Sequence, residues 1–222
     1  MAVQLQRPGA PSQAPSSSAR QGRVTGGGTA GNEVLTAATG AMLIVLLAAL
    51  GVTILRVGPL LWEHMFIGML LIPPVLLKMG TTGYRFARYY SGSPAYRRKG
   101  PPTSALRLLA PLVIASTVAV FATGVVLLLQ GPSSRDTWLL PHKAAFFVWI
   151  AVTGVHVLAH LPEMPRLLRA DYRRPARGRD LNGRAGRVIS LAGALTLGVV
   201  LAVVLIPQFS PWINAVPYFI EH

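Results

Sequence analysis

The chain has 222 residues, of which 52% are hydrophobic and only 13% are charged, and its formal net charge is +14. This composition is typical of an integral membrane protein and excludes an ordinary soluble domain, because long apolar runs without charges require a lipid environment. The sequence has no cysteine. Disulfide bonds, thiolate ligation of iron–sulfur clusters and covalent attachment of a c-type haem are therefore excluded.

The N-terminal segment, residues 1–32, is rich in Gly, Ser, Pro, Ala and Gln. Such a composition predicts a disordered tail, and the late, long apolar run that follows does not fit a secretory signal. Five apolar segments come next, each close to the twenty or so residues that cross a bilayer as a helix. They cover residues 34–55, 60–79, 106–129, 139–161 and 188–206. We therefore expect an all-α, polytopic membrane helix bundle with five transmembrane helices.

The basic residues are concentrated in two of the connections between these segments. The positive-inside rule places both connections in the cytoplasm, together with residues 1–32. The chain is thus expected in the plasma membrane as a multi-pass protein, with residues 163–187 as a basic cytoplasmic loop and 207–222 as an external tail. The charge then serves orientation and contact with membrane lipid, and not nucleic-acid binding. The residues concerned are Arg85, Arg88, Arg97, Arg98, Lys99, Arg166, Arg169, Arg173, Arg174, Arg177, Arg179, Arg184 and Arg187.

Two apolar helices carry the same spacing of polar side chains. His64 and Lys78 lie fourteen positions apart in the second segment, and His142 and His156 lie fourteen apart in the fourth. Fourteen residues make nearly four helical turns, so each pair points in almost one direction, about 21 Å apart. Neutral imidazoles are good iron ligands. Since both helices run inward, His64 is expected to face His142 in the outer half, and Lys78 to face His156 in the inner half.

Small and basic residues fit the same picture. Gly51 and Gly124 are expected at the outer level, where they would let a flat macrocycle approach a helix closely. Arg107 is expected near the inner face, where it could balance haem propionates. For Lys78 three roles stay open: an ammonium that reaches the membrane surface, a partner of a propionate, or an iron ligand as a neutral amine.

Histidines on the second and fourth of four helices, in an H-x13-H spacing, resemble the cytochrome b-like di-haem four-helix bundle family of membrane b-type cytochromes. The resemblance covers about residues 33–162 and leaves the helix at 188–206 outside. It implies that four helices form a haem-binding bundle, in which His64 and His142 hold an outer haem b. His156 matches one ligand of a second, inner haem, and Lys78 stands where the family has histidine. The metal ligands expected from it are His64, His142 and His156.

The function that follows is an integral membrane b-type cytochrome that carries electrons between quinone and a redox partner. We expect it to act as an electron-transfer subunit, alone or in a larger respiratory complex, rather than as a free-standing enzyme. Two alternatives stay open. One is a non-redox membrane anchor or assembly subunit, and the other is a small proton or solute transporter that uses its polar residues as a path.

Overall fold

The computed structural model describes residues 28–98, 104–162, 165, 169 and 183–220, with the side chains of 104–108 and 216–220 left outside the description. Residues 1–27, which make up most of the predicted tail, lie outside it. The described helices are α1 Gly28–Leu55, α2 Leu61–Tyr90, α3 Pro94–Arg97, α4 Ser104–Gln130, α5 Arg135–His160, α6 Arg184–Val204 and α7 Ser210–Ile220. Two 3-10 turns, Pro132–Ser134 and Ile206–Gln208, precede α5 and α7.

Five of these helices, namely α1, α2, α4, α5 and α6, are long and apolar enough to cross a membrane. Within the described part of the chain there is no strand. The prediction of an all-helical protein with five membrane-spanning segments is therefore confirmed at the level of helix length and composition.

Several helix ends differ from the predicted segments. α1 begins at Gly28, inside the region 1–32 that was assigned to the tail. α2 continues through Pro73 and Pro74 and ends at Tyr90, well beyond its predicted end at residue 79. Most of the predicted loop 163–187 lies outside the described residues, but its last four positions already belong to α6. The predicted tail and α1 overlap because a Gly-rich composition indicates low helix propensity but does not exclude helix in a first turn.

The helices pack as two groups. α2 lies against α1 and α6, and α4 pairs with α5 along most of its length. α2 and α4 make a smaller contact, while α2 and α5 do not pack extensively against each other among the described residues. α6, which the resemblance leaves outside the bundle, approaches α2 so closely that a Cβ at Gly198 would collide with the Leu70 carbonyl oxygen. The fifth membrane-spanning helix is therefore packed tightly against α2.

The C-terminal segment folds back onto the helices. Phe209 and Trp212 are buried in one cluster, and the Trp62 and Phe209 rings meet edge to face with centroids 6.1 Å apart. The indole Nε1 of Trp212 donates a hydrogen bond to the Leu128 carbonyl at 3.3 Å. The predicted external tail therefore includes a packed helix, α7. The buried members of the cluster are Met69, Leu70, Leu128, Ala202, Phe209 and Trp212.

Candidate functional site

We call His64 and His142 the outer pair, and Lys78 and His156 the inner pair, after their predicted membrane depths. His64 lies in the first turns of α2 and is half-buried. Its Nδ1 is 2.9 Å from the hydroxyl of Thr53, a buried residue near the end of α1. The same hydroxyl donates its own hydrogen to the Leu50 carbonyl at 2.6 Å. Since a hydroxyl has one hydrogen, the Thr53 oxygen accepts from His64 Nδ1–H.

His142 repeats this arrangement between the other two helices. Its Nδ1 lies 3.1 Å from the Thr123 hydroxyl of α4. Thr123 in turn donates to the Ala119 carbonyl at 2.7 Å, so it too accepts from the imidazole. Each imidazole of the outer pair therefore carries its proton on Nδ1 and keeps the Nε2 lone pair, the form that binds a metal ion.

The His142 ring packs against the helix backbone at Gly124. A Cβ at this position would lie 2.9 Å from His142 Cε1 and 3.4 Å from Nδ1, closer than side chains normally approach. The sequence predicts that a macrocycle approaches the helix at Gly124. In the structure, the space beside Gly124 is occupied by the His142 imidazole. Gly51, predicted for the same role on α1, has no atom within 4 Å of such a Cβ.

The outer pair is brought together by the fold. His64 and His142 are near enough for their protonated forms to repel each other, although they lie on helices whose backbones do not pack extensively in the described chain. Two imidazoles from two helices, each with a fixed tautomer, are the donor set that a six-coordinate haem iron takes from a protein. By its chemistry, the outer pair fits haem.

The inner pair is arranged differently. The ammonium of Lys78 donates a hydrogen bond of 2.7 Å to the Thr36 carbonyl of α1. Two neighbouring contacts also join α1 to this part of α2: Asn32 Nδ2 donates to the Thr81 carbonyl at 3.2 Å, and Arg85 lies 3.7 Å from Glu33. Lys78 is thus one of a set of polar links between these two helices, and its head group is directed to α1.

His156 lies near enough to Lys78 for a protonated imidazole there to be repelled by the ammonium. Its ring meets the ring of His160 with centroids 4.7 Å apart. Among the described residues no group forms a hydrogen bond to the buried Nδ1 of His156 or to the buried hydroxyl of Thr153, one turn away on the same helix. The structure therefore places the predicted inner residues close together, but without the hydrogen bonds that fix the outer imidazoles.

Thr53 and Thr123 are site residues that the sequence did not predict. A hydroxyl in an apolar helix was the available signal, since Thr53 lies two positions after Gly51, and Thr123 directly precedes Gly124. Nothing local distinguishes them from the other threonines of α1 and α4, because a partner on another helix gives them their role. Arg107 lies in the first turn of α4, and its side chain falls outside the description.

Within the described residues there is no cluster of three or more His, Asp or Glu side chains that could hold a metal ion. A haem iron needs only two protein ligands, because the porphyrin supplies the other four nitrogens. Comparison with known proteins finds no matching family model, no matching curated protein and no matching solved structure.

Proposed function

We propose that this protein is an integral membrane b-type cytochrome in which His64 and His142 hold one haem b. The observation that carries the proposal is the repeated hydrogen bond from Nδ1 of each imidazole to a threonine, Thr53 or Thr123. Ligating histidines commonly donate their second ring nitrogen in this way, which fixes the ring and strengthens the ligand. When bound, haem supplies a one-electron iron couple between the ferric and ferrous states.

The rest of the site serves to hold and shield this group. Thr53 is buried, so the hydrogen bond to His64 is protected from competition by water. The buried cluster contains residues of α2, α4, α6 and α7. It extends to the first turns of α2, because Leu61 and Met65, which flank His64 in the sequence, pack against it. A water-poor, low-dielectric surrounding of this kind tunes the potential of a redox centre.

The proposed cytochrome exchanges electrons with quinone on one side. On the other side it exchanges them with a redox partner protein or a larger respiratory complex. A second haem near His156 and Lys78 stays a prediction, because Lys78 is directed to the Thr36 carbonyl. The outer pair is the stronger site, since both its imidazoles have a fixed tautomer.

The test is a reduced-minus-oxidised optical spectrum of the full chain, purified in mild detergent after expression with haem supplied. We expect a b-type α-band and about one haem per chain by pyridine haemochrome. A colourless, folded protein would refute the cytochrome and favour the anchor or transporter function instead.

The proposed topology has residues 1–27 in the cytoplasm and α7 outside, because five spans put the two ends on opposite sides of the membrane. The chain lacks cysteine, so single-cysteine variants report location directly. Ser91, after α2, and Ser133, before α5, are both exposed. In intact cells we expect a membrane-impermeant maleimide to label Ser133→Cys but not Ser91→Cys. The reverse pattern would overturn the orientation.

A further inference from the structure

α2 and α3 meet at a tight corner. Only Ser91, Gly92 and Ser93 separate the two helices, and Gly92 has a φ of +83°, a backbone conformation that glycine adopts readily. The amides of Ser91 and Ser93 donate to carbonyls in the last turn of α2. Tyr96 of α3 is buried, and its ring meets the Tyr84 ring of α2 edge to face, with centroids 6.1 Å apart. The corner is therefore held in place by both backbone and side-chain contacts.

Two guanidinium groups lie at this corner, one from each helix. Nη2 of Arg88, in α2, donates to the Ser93 hydroxyl oxygen at 3.4 Å. Arg97, in α3, lies over Gly92, since its Cζ is 3.8 Å and its Nη2 3.9 Å from the position that a Cβ would take there. Both arginines are exposed. The missing side chain of Gly92 thus lets the Arg97 guanidinium approach the same short segment that Arg88 contacts.

The donors at this corner have no acidic partner. Residues 64–135 include no Asp or Glu. Glu33 of α1 is near this end of α2, but it lies 3.7 Å from Arg85. Among the described residues no group accepts a hydrogen bond from the Arg97 guanidinium or from the Ser93 hydroxyl. Two cations and a hydroxyl donor therefore come together without an anion, which is the donor set that an oxyanion requires.

The length of α2 indicates which oxyanion is available. Its thirty residues are about 45 Å long, which matches a bilayer with both headgroup layers included. Because α2 begins at one face of the membrane, its end lies at the headgroup layer of the other face, where every phospholipid carries a phosphate. Arginine binds phosphate oxygens through two parallel N–H groups, and two arginines with one hydroxyl can hold several oxygens of one phosphate.

We propose that the α2–α3 corner binds one phosphate group, held by the guanidinium groups of Arg88 and Arg97 and by the Ser93 hydroxyl. The phosphate belongs to a phospholipid headgroup or to a free phosphate compound in the adjoining water, since both present the same oxygens. The site is at the other end of α2 from His64, so it stands whether or not the protein binds haem.

The test measures the binding of two probes to the full chain in a mild neutral detergent without phosphate buffer. Phosphatidylglycerol is counted by native mass spectrometry, and inorganic phosphate is titrated by calorimetry. We expect one saturable site per chain for at least one probe. Saturable binding of phosphatidylglycerol alone would identify a lipid headgroup as the source, whereas binding of inorganic phosphate would show that a free phosphate compound fits the site.

A pair of neighbouring arginines separates a built site from general positive charge. Arg97→Gln removes one guanidinium and should weaken binding about tenfold or more, because hydrogen bonds between charged groups are the strong ones. Arg98→Gln is the matched control, since it removes the same charge from an exposed position whose guanidinium does not lie against Gly92. It should bind like the unmodified chain. Arg97→Lys keeps the charge without the planar fork and should restore only part of the affinity.

Two further variants cover the case in which Arg97→Gln disturbs the corner. Arg88→Gln removes the guanidinium of α2 and should weaken binding as much as Arg97→Gln. Ser93→Ala removes one uncharged donor and should weaken binding about fivefold.

Equal binding by the Arg97→Gln and Arg98→Gln variants would overturn the proposal, because net charge alone would then account for it. The absence of saturable binding of either probe by the unmodified chain would overturn it as well.

Discussion

At the outer level both imidazoles donate through Nδ1 to a threonine of the preceding helix, whereas the inner level lacks this arrangement. There Lys78 bonds to the α1 backbone, and His156 Nδ1 has no hydrogen-bond partner among the described residues. The same fourteen-residue spacing generates both levels. The two levels show that spacing fixes where side chains lie along a helix, whereas hydrogen-bond partners on neighbouring helices fix how the imidazole rings are oriented.

The largest effect is expected from removing an imidazole of the outer pair. His64→Ala or His142→Ala removes one of the two imidazoles that would hold the haem iron, so we expect loss of the low-spin haem spectrum. His160→Ala, which removes a histidine elsewhere on α5, should keep it. Haem per chain and the optical spectrum are the measurements, and a full low-spin spectrum in both alanine variants would refute the ligand assignment.

The threonines should give the next largest effect. Thr53→Val or Thr123→Val keeps the side-chain shape but removes the acceptor of Nδ1–H, which should weaken haem affinity about 10- to 100-fold. The imidazole then donates less electron density, so ferric iron is less stabilised and the midpoint potential should rise. Haem titration and a redox titration measure the two effects. Thr53→Ser and Thr123→Ser keep the hydroxyl and should keep the affinity and the potential of the unmodified protein. Unchanged affinity and potential in the valine variants would show that these hydroxyls contribute only packing.

Gly124→Ala should have a smaller effect through the position of the His142 ring. The new Cβ would lie 2.9 Å from Cε1, so the ring must move, at a cost of about 1–3 kcal/mol. Haem affinity should fall about tenfold or more. Gly154→Ala, where a Cβ meets no atom within 4 Å, is the control and should bind haem normally. Equal affinities in the two variants would mean that the ring tolerates the contact.

The smallest effect on the outer site is expected from changes at Lys78. Lys78→His supplies a second imidazole at the inner level, and we expect haem per chain to rise from about one towards two. Lys78→Met removes the bond to the Thr36 carbonyl without adding a ligand and should leave the ratio at one. An unchanged ratio in Lys78→His would argue against any inner haem site and would sharpen the contrast between the two levels.

The candidate site was predictable in part. His64 and His142 could be selected because helical periodicity is a property of the local sequence, and their depths follow from helix length. The threonine partners could not be selected, because Thr53 and His64 come from different helices, whose rotation about their axes depends on packing. The role of Gly124 beside the His142 ring could not be predicted for the same reason.

The sequence by itself determined the five apolar helices, since each must satisfy its backbone hydrogen bonds internally within a bilayer. It also determined the placement of four polar residues along α2 and α5. Only the tertiary structure decided that α6 packs on α2 at Gly198, that Phe209 and Trp212 are buried, and that Lys78 bonds to α1. These features depend on contacts between residues far apart in the chain, and neither hydropathy nor periodicity specifies which faces of two helices meet.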